Sequence, residues 1–513
     1  MGGYRALLAG LLLAAAAAAG AQPVARSAGP QAVAVTVYRA PGRGPGEGMD
    51  LRWLNGFALV TETRRISIPA GDSEVRFEGV AGGILPESSI VSGFPDGVRE
   101  KNQDRWLLSP GSLLDASLGR RVHLRRTSPA TGAVRETEAV VRSGAGGAVV
   151  LETPDGVESL RCDGLRSTLA YDRVPAGLSA RPTLSVRVRS PRRHRATVTL
   201  SYIASGFDWQ ADYVAELSPD GAKMDLFAWL TLANGDETGF RDAATQAVAG
   251  RVNRSSASPP RPQAPPLVLR CWPAGTTTSD LEEKVFEKEE IVVTGSRLMM
   301  AMEVPMVETP LPPPSPPPAM MARQEELGDL KLYRIPEPVT VAARSQKQVA
   351  LLAREGVKVE TVYRVDASTR GTGSLVVTRV LSTRNTLQEG LGLPLPAGRL
   401  VLFGMGRARP LLLGRGFVGD RAVGEKVEIP VGPANSVAAR AARLSVEADG
   451  KEEWELTVSN AQPAPVRFEA QLMGGDLELT SPTPLADRDG RPLWTVMVPA
   501  NGEASLRYRL DRR

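Results

Sequence analysis

Histidine and cysteine are nearly missing from this chain, with two of each among 513 residues. Zinc fingers, iron–sulfur clusters and histidine-rich metal centres are thereby set aside, because each needs three or four such ligands. Nothing in the sequence asks for a cofactor or a metal. Lysine is scarce as well: 9 of the 62 cations, the other 53 being arginine. Against 57 acids the formal net charge is +5. That excess is too small to argue for a nucleic-acid partner. After the first two dozen positions no apolar run approaches the roughly 18 residues of a transmembrane helix. Convincing amphipathic helices are also lacking. Leu327–Leu332 and Ala438–Arg443 could each start one, but both are short. No solenoid repeat is present.

The hydrophobic share, 42%, is enough to bury real cores, and the length suits about three domains. The first residues have the make-up of a secretory signal. Arg5 supplies the positive end, and Ala6 to Ala19 is a Leu/Ala run of the length of a signal's apolar region. Ala19-Gly20-Ala21 fits the small-x-small cleavage rule, which makes Gln22 the expected mature N-terminus. The expected location is periplasmic or extracellular. Export permits disulfides. Cys162 and Cys271 are the candidates, and closing so long a loop stabilises by about 4–5 kcal/mol in the chain-entropy model.

Proline and glycine total 41 and 51, and they punctuate short alternating runs. Residues 1–21 are the signal, and 22–117 read as an N-terminal β domain that opens with Val35–Tyr38. In that domain Arg64–Ile68 and Glu74–Glu78, around a Pro-Ala-Gly-Asp turn, suggest a hairpin. Residues 118–177 hold four or five short strands, which suggests a small SH3-like barrel. Residues 178–253 and 327–513 form a β-sandwich in two parts. Leu184–Val188 and Ala196–Tyr202 are an alternating pair in the first part. Ala442–Val446, Asp449-Gly450 and Glu453–Val458 give the clearest hairpin in the second. Between them, residues 254–326 are a proline-rich flexible insertion. It carries 14 of the 41 prolines between Pro259 and Pro318, and such runs favour extended polyproline over packing.

Motifs for chemistry are few. Gly414-Arg415-Gly416-Phe417-Val418-Gly419 has dinucleotide-loop spacing, but the sequence after it suggests a strand and not a helix, so a glycine-rich turn is expected. His123 and His194 lack a companion nucleophile motif. The acids from Asp280 to Glu290 lie in the insertion, where a solvated charge patch is expected. The seven tryptophans are scattered, and most should fill cores.

One string in the insertion stands apart. Ile291-Val292-Val293-Thr294-Gly295-Ser296-Arg297 is β-prone within proline-rich sequence. It resembles the signature near the plug of TonB-dependent outer-membrane receptors, although the plug and barrel of such a receptor are absent. An exposed β-prone strand can add to a partner's sheet edge, so these seven residues are the expected docking element.

Several further strings carry a family resemblance: Val35-Thr36-Val37-Tyr38-Arg39, Leu107-Leu108-Ser109-Pro110-Gly111 and Pro182-Thr183-Leu184-Ser185-Val186. To these are added Leu200-Ser201-Tyr202 with Trp209, Gly328-Asp329-Leu330-Lys331-Leu332-Tyr333-Arg334, and Leu393-Pro394-Leu395-Pro396-Ala397-Gly398. Through them the chain resembles the mucoidy inhibitor A-like family of secreted bacterial proteins, whose shared domain has no assigned function. The resemblance implies a β-sandwich and transfers no catalytic residue. The chain departs from longer members in lacking a coiled-coil insertion.

The expectation is an exported, mainly β protein with sandwich domains, a small barrel and a disordered proline-rich insertion. Its expected role is a non-catalytic interaction or assembly module with an envelope protein partner. Two alternatives stay open: a periplasmic hydrolase of glycan or peptide material with a carboxylate-based site, and a carbohydrate-binding module. Oligomeric state is not legible.

Overall fold

A computed structural model describes residues 23–250, 252, 263–267 and 321–512, apart from short breaks at 28, 105, 129, 145–148, 161–165, 176, 329, 369–370, 406–408, 449 and 474–476. The predicted signal, Cys162, Cys271 and the docking string Ile291–Arg297 lie outside the described residues. Among the described residues strands hold 63% and helices 3%, so the fold is mainly β. The strands make several sheets around three apolar clusters.

The central architecture comes from one long antiparallel ribbon that bends from sheet to sheet. Strand Gly56–Ile68 pairs with His194–Leu217, from Gly56 opposite Phe207 to Ile68 opposite His194. Just past the bend, Gly71–Glu78 pairs with Thr183–Ser190, from Gly71 opposite Ser190 to Glu78 opposite Thr183. The hairpin expected at 64–78 is therefore a corner, and so is the polar connector 191–193. Turn chemistry alone does not separate the two outcomes. What decides here is that each half has a partner more than a hundred residues away, with apolar side chains alternating inward on both halves.

In the large sheet the spatial order runs Leu330–Arg334, Phe240–Ala249, Ala32–Tyr38, Gly56–Ile68, His194–Leu217, Lys223–Asn234, Ser345–Lys358. Strand Gly398–Met405 joins parallel to the far half of His194–Leu217, with Ala211 opposite Gly398. One continuous apolar cluster runs from Ala25 to Val431. The N-terminal strands thus share sheet and core with residues of 183–249 and 330–431. Trp209 is fully buried there, its indole N–H donating to the Val248 carbonyl at 2.9 Å.

A five-stranded antiparallel sheet between Arg121 and Ala170 has its own core, with Val122, Leu124, Val141 and Leu151. The C-terminal sandwich stacks a six-stranded sheet on a five-stranded one around Trp454, Phe468, Trp494 and Tyr508. Its hairpin Val437–Val446/Glu452–Asn460 sets Ala442 opposite Glu455. The helix candidates are strands instead. Ala438–Arg443 lies in that hairpin, and Leu327–Leu332 is the tip of Arg323–Leu327/Leu330–Arg334. In Val437–Ala441 inward alternation overrides the helix propensity of Ala, and Leu330–Arg334 is held by pairing on both sides.

Two pieces of the expected flexible insertion are docked. Strand Arg323–Leu327 is one. Residues 263–267 are the other, laid along 106–111. Leu107 N–H donates to Gln263 O at 2.9 Å, Gly111 N–H to Pro265 O at 3.2 Å and Ser109 Oγ to Pro265 O at 2.8 Å. In these bonds the donors belong to 107–111 and the acceptors to the proline strap, which suits residues that lack an N–H. Leu267 then packs against the core of the small sheet. Among the described residues no helix is long and apolar enough to cross a membrane.

Candidate binding cleft

A wide cleft follows from a parting of strands. Ala32–Tyr38 and Phe240–Ala249 run parallel from Ala34 opposite Ala244 to Tyr38 opposite Val248. Toward their N-terminal ends they separate. Gln31 N–H turns to Thr63 O at 2.8 Å. Phe240 and Ala243 pair on the other side with Val341 and Val339, and the register breaks between them. Asp242, inside that break, has φ +48°, a left-handed conformation that an ordinary residue holds only when its surroundings require it. Arg344, across the opening, also has φ +48°. The fork leaves a cleft of about 1210 Å³.

One wall is built in advance by Asp236, which is 7% exposed. Its Oδ1 accepts from Gly82 N–H at 2.9 Å and Thr238 N–H at 2.8 Å, and its Oδ2 accepts from Gly83 N–H at 2.7 Å. Its carbonyl accepts from Arg344 N–H at 3.1 Å. A Cβ at Gly83 would sit 2.5 Å from the Ser205 carbonyl oxygen, so only glycine lets this loop lie against the ribbon. The lining is mainly backbone and small side chains, including Gly29, Ala32, Gly79, Gly239 and Ala342. Arg181, Arg241 and Arg344 stand at the rim beside Glu78, Glu237 and Asp242, so its formal charges cancel. The three arginines are exposed and form no ion pair among the described residues.

The residues singled out in the sequence lie elsewhere. His123 sits on the small sheet between two carboxylates, with Nδ1 3.1 Å from Glu136 and Nε2 2.8 Å from Asp172. His194 stands at the ribbon's corner, Nδ1 3.1 Å from Ser190 Oγ. Ser190 is 1% exposed and its hydroxyl donates to Arg192 O at 2.7 Å. A nucleophile needs access and a free lone pair aimed at substrate, and this serine closes a turn. The glycine-rich string is not a turn. Gly414 and Gly416 lie inside strand Pro410–Val418. Their ideal Cβ positions fall 2.1 Å from Val431 O and 2.2 Å from Pro430 O, so these glycines let one strand cross close over another.

Paired carboxylates do occur, on the six-stranded sheet of the sandwich. Glu428 and Glu469 are bridged by Arg364, at 2.8 and 2.7 Å, and by Arg488, at 2.5 and 3.2 Å. Burial pushes the Glu428 carboxyl up, but hydrogen bonds from Arg364 and Lys426 outweigh it and hold the group well below the usual carboxylate range. It has no proton to donate near neutral pH, so the cluster is a charge lattice and not a general acid pair. Among the described residues no group of His, Cys, Asp or Glu is arranged to hold a metal ion.

Sequence reasoning missed the cleft. The Asn234-Gly235-Asp236-Glu237-Thr238-Gly239 cluster after strand Lys223–Asn234 was the available signal, since Asn, Asp and Gly at such density mark a turn held by side chains. No protein-family model matches the chain, and no curated protein matches it significantly.

Proposed function

We propose that this is an exported, non-catalytic interaction module of the bacterial envelope, and that its cleft holds an extended peptide segment of a protein partner. The fork between two parallel strands carries the reading. It sets backbone on both sides of an open space, and its small lining residues allow another backbone to approach closely. The hydrolase alternative needs carboxylates in a desolvated setting; of the three acids lining the cleft, Glu237 and Asp242 are exposed and Glu78 is half-buried, which weighs against it. The carbohydrate alternative needs an aromatic platform. Among the described residues lining the cleft the one aromatic, Phe240, is 3% exposed, while the exposed Trp53 and Trp106 do not line it.

The β-prone string Ile291–Arg297 is proposed as a second contact with the same partner. The resemblance to mucoidy inhibitor A-like proteins belongs to this reading and supports secretion. A Cys162–Cys271 disulfide belongs to it as well. Leu160 and Leu267, close to the two cysteines in sequence, pack at the same small core, so a bridge would tie the proline strap to that sheet. Intact-mass measurement of exported protein with and without reduction tests the bridge.

The cleft is tested by placing a photo-crosslinking residue at Ala342, inside it, and at Val157, on the small sheet, in the native envelope. A partner captured at 342, absent at 157 and lost when Thr340→Trp, another substitution in the cleft lining, is added to the crosslinking chain, supports the proposal. Equal capture at both positions, or none at 342, overturns it. Deleting 289–297 should weaken that capture while the fold persists.

A further inference from the structure

Among the described residues the strand Pro410–Val418 pairs only with Gly398–Met405 and so forms an edge. Leu411, Leu412 and Leu413 are 54%, 57% and 38% exposed. Neighbours on a strand point to opposite faces, so three consecutive exposed leucines mean that both faces of this edge are open. A register break adds to this. Leu402 lies opposite Gly414 and Phe403 opposite Leu412, which leaves Leu413 as the extra residue of a bulge. Phe417, further along, is 39% exposed.

Soluble surfaces rarely keep such a run without a use. The leucines lie between Arg409 and Arg415, both exposed and without an ion pair among the described residues. Glu216 is the acid on the same row, two strands inward, through Phe403. The base of the projection is firm. Arg379 Nη2 donates to Leu413 O at 2.9 Å, and Gly414 and Gly416 press on the carbonyls of Val431 and Pro430.

We propose that Arg409–Arg415 is a membrane-surface contact. The three leucines enter the acyl boundary of an anionic leaflet, and Arg409 and Arg415 meet its headgroup phosphates. The exposure of both strand faces favours lipid. A partner sheet or a second copy would cover one face and leave the other apolar in water. A lipid phase accepts both, and the flanking arginines match an anionic surface.

The test is flotation of the full chain with vesicles made of equal parts phosphatidylcholine and phosphatidylglycerol, and with phosphatidylcholine alone, near physiological ionic strength. The wild type should float with the anionic vesicles and not with the neutral ones. Leu412→Asp should weaken binding by about tenfold or more, and Arg409→Ala or Arg415→Ala by roughly fivefold each. Leu412→Ser serves as a milder change, with circular dichroism as the check on folding. Absence of binding to anionic vesicles, or equal binding by the folded Leu412→Asp and Leu412→Ser variants, overturns the proposal. A dimer of the wild type that these variants dissociate would assign the patch to a second copy and overturn it too.

Discussion

Arg64 and Glu62 offer the sharpest test of how the two sheets hold together. Both side chains are 0% exposed. Arg64 Nε donates to Glu62 Oε2 at 2.7 Å, and Nη1 donates to the carbonyls of Ser27 at 3.0 Å and Glu78 at 2.8 Å. Nη2 lies 2.5 Å from the same Oε2 without hydrogen-bond geometry, so it adds charge attraction only. The other carboxylate oxygen accepts from Tyr202 Oη at 2.7 Å, and that phenol oxygen accepts from Ala81 N–H at 3.1 Å. The guanidinium also stands 5.8 Å from the Phe77 ring centre. Arg64→Met strands a buried carboxylate, and Glu62→Leu strands a buried guanidinium. Each should cost about 3–5 kcal/mol. The double variant removes both charges together and should cost far less than the sum, with a coupling of about 2–3 kcal/mol. Urea unfolding of the four proteins, followed by tryptophan fluorescence, measures the cycle. Single variants that lose under about 1 kcal/mol, or strictly additive losses, would refute the view that this pair is desolvated and mutually dependent.

Gly414→Ala should destabilise by about 1–3 kcal/mol, because the new methyl must push apart two crossing strands; thermal unfolding reads it. Asp236→Ala leaves the N–H groups of Gly82, Gly83 and Thr238 without their acceptor. A loss of about 1–3 kcal/mol is expected, and amide exchange at those three residues should accelerate while the sandwich amides stay unchanged. The folded Glu428 carboxyl lies below its unfolded value of 4.5. Its contribution is therefore complete above that value and lost as pH falls through the folded one. Melting temperature should drop from about pH 5 downward, and Glu428→Gln should lower it at neutral pH and flatten the drop.

Much of the strand content was legible, because alternating burial needs only neighbours in sequence. Glu74–Glu78, Leu184–Val188 and Glu453–Val458 are strands for that reason. Which strand pairs with which was not legible. Pro69 to Asp72 suits a hairpin and a corner equally, and the outcome depends on Thr183–Ser190 arriving beside one half and His194–Leu217 beside the other. Composition also misjudged the strap at 263–267. Proline runs favour extended chain over packing, yet Leu267 packs at the core of the small sheet. Nor does composition reveal that 107–111 would supply every donor in the bonds to the strap's carbonyls. Of the cleft, only the Asn234–Gly239 turn cluster left a trace. A fork between parallel strands is a property of pairing, and no local pattern encodes it.

The parallel alignment of Ala32–Tyr38 with Phe240–Ala249, and of His194–Leu217 with Gly398–Met405, sets the order in which this protein can mature. Gln246 reaches Thr36 across 210 positions, and Arg39 reaches Ala397 across 358. Contacts this distant make folding slow and late, since long loops must close before they are rewarded. A nascent chain with residue 39 already exposed must wait for residue 397 to be synthesised. Val35 and Val37 find their antiparallel partner, Gly56–Ile68, early, but the side of their strand that takes Phe240–Ala249 stays an unpaired edge until that strand arrives.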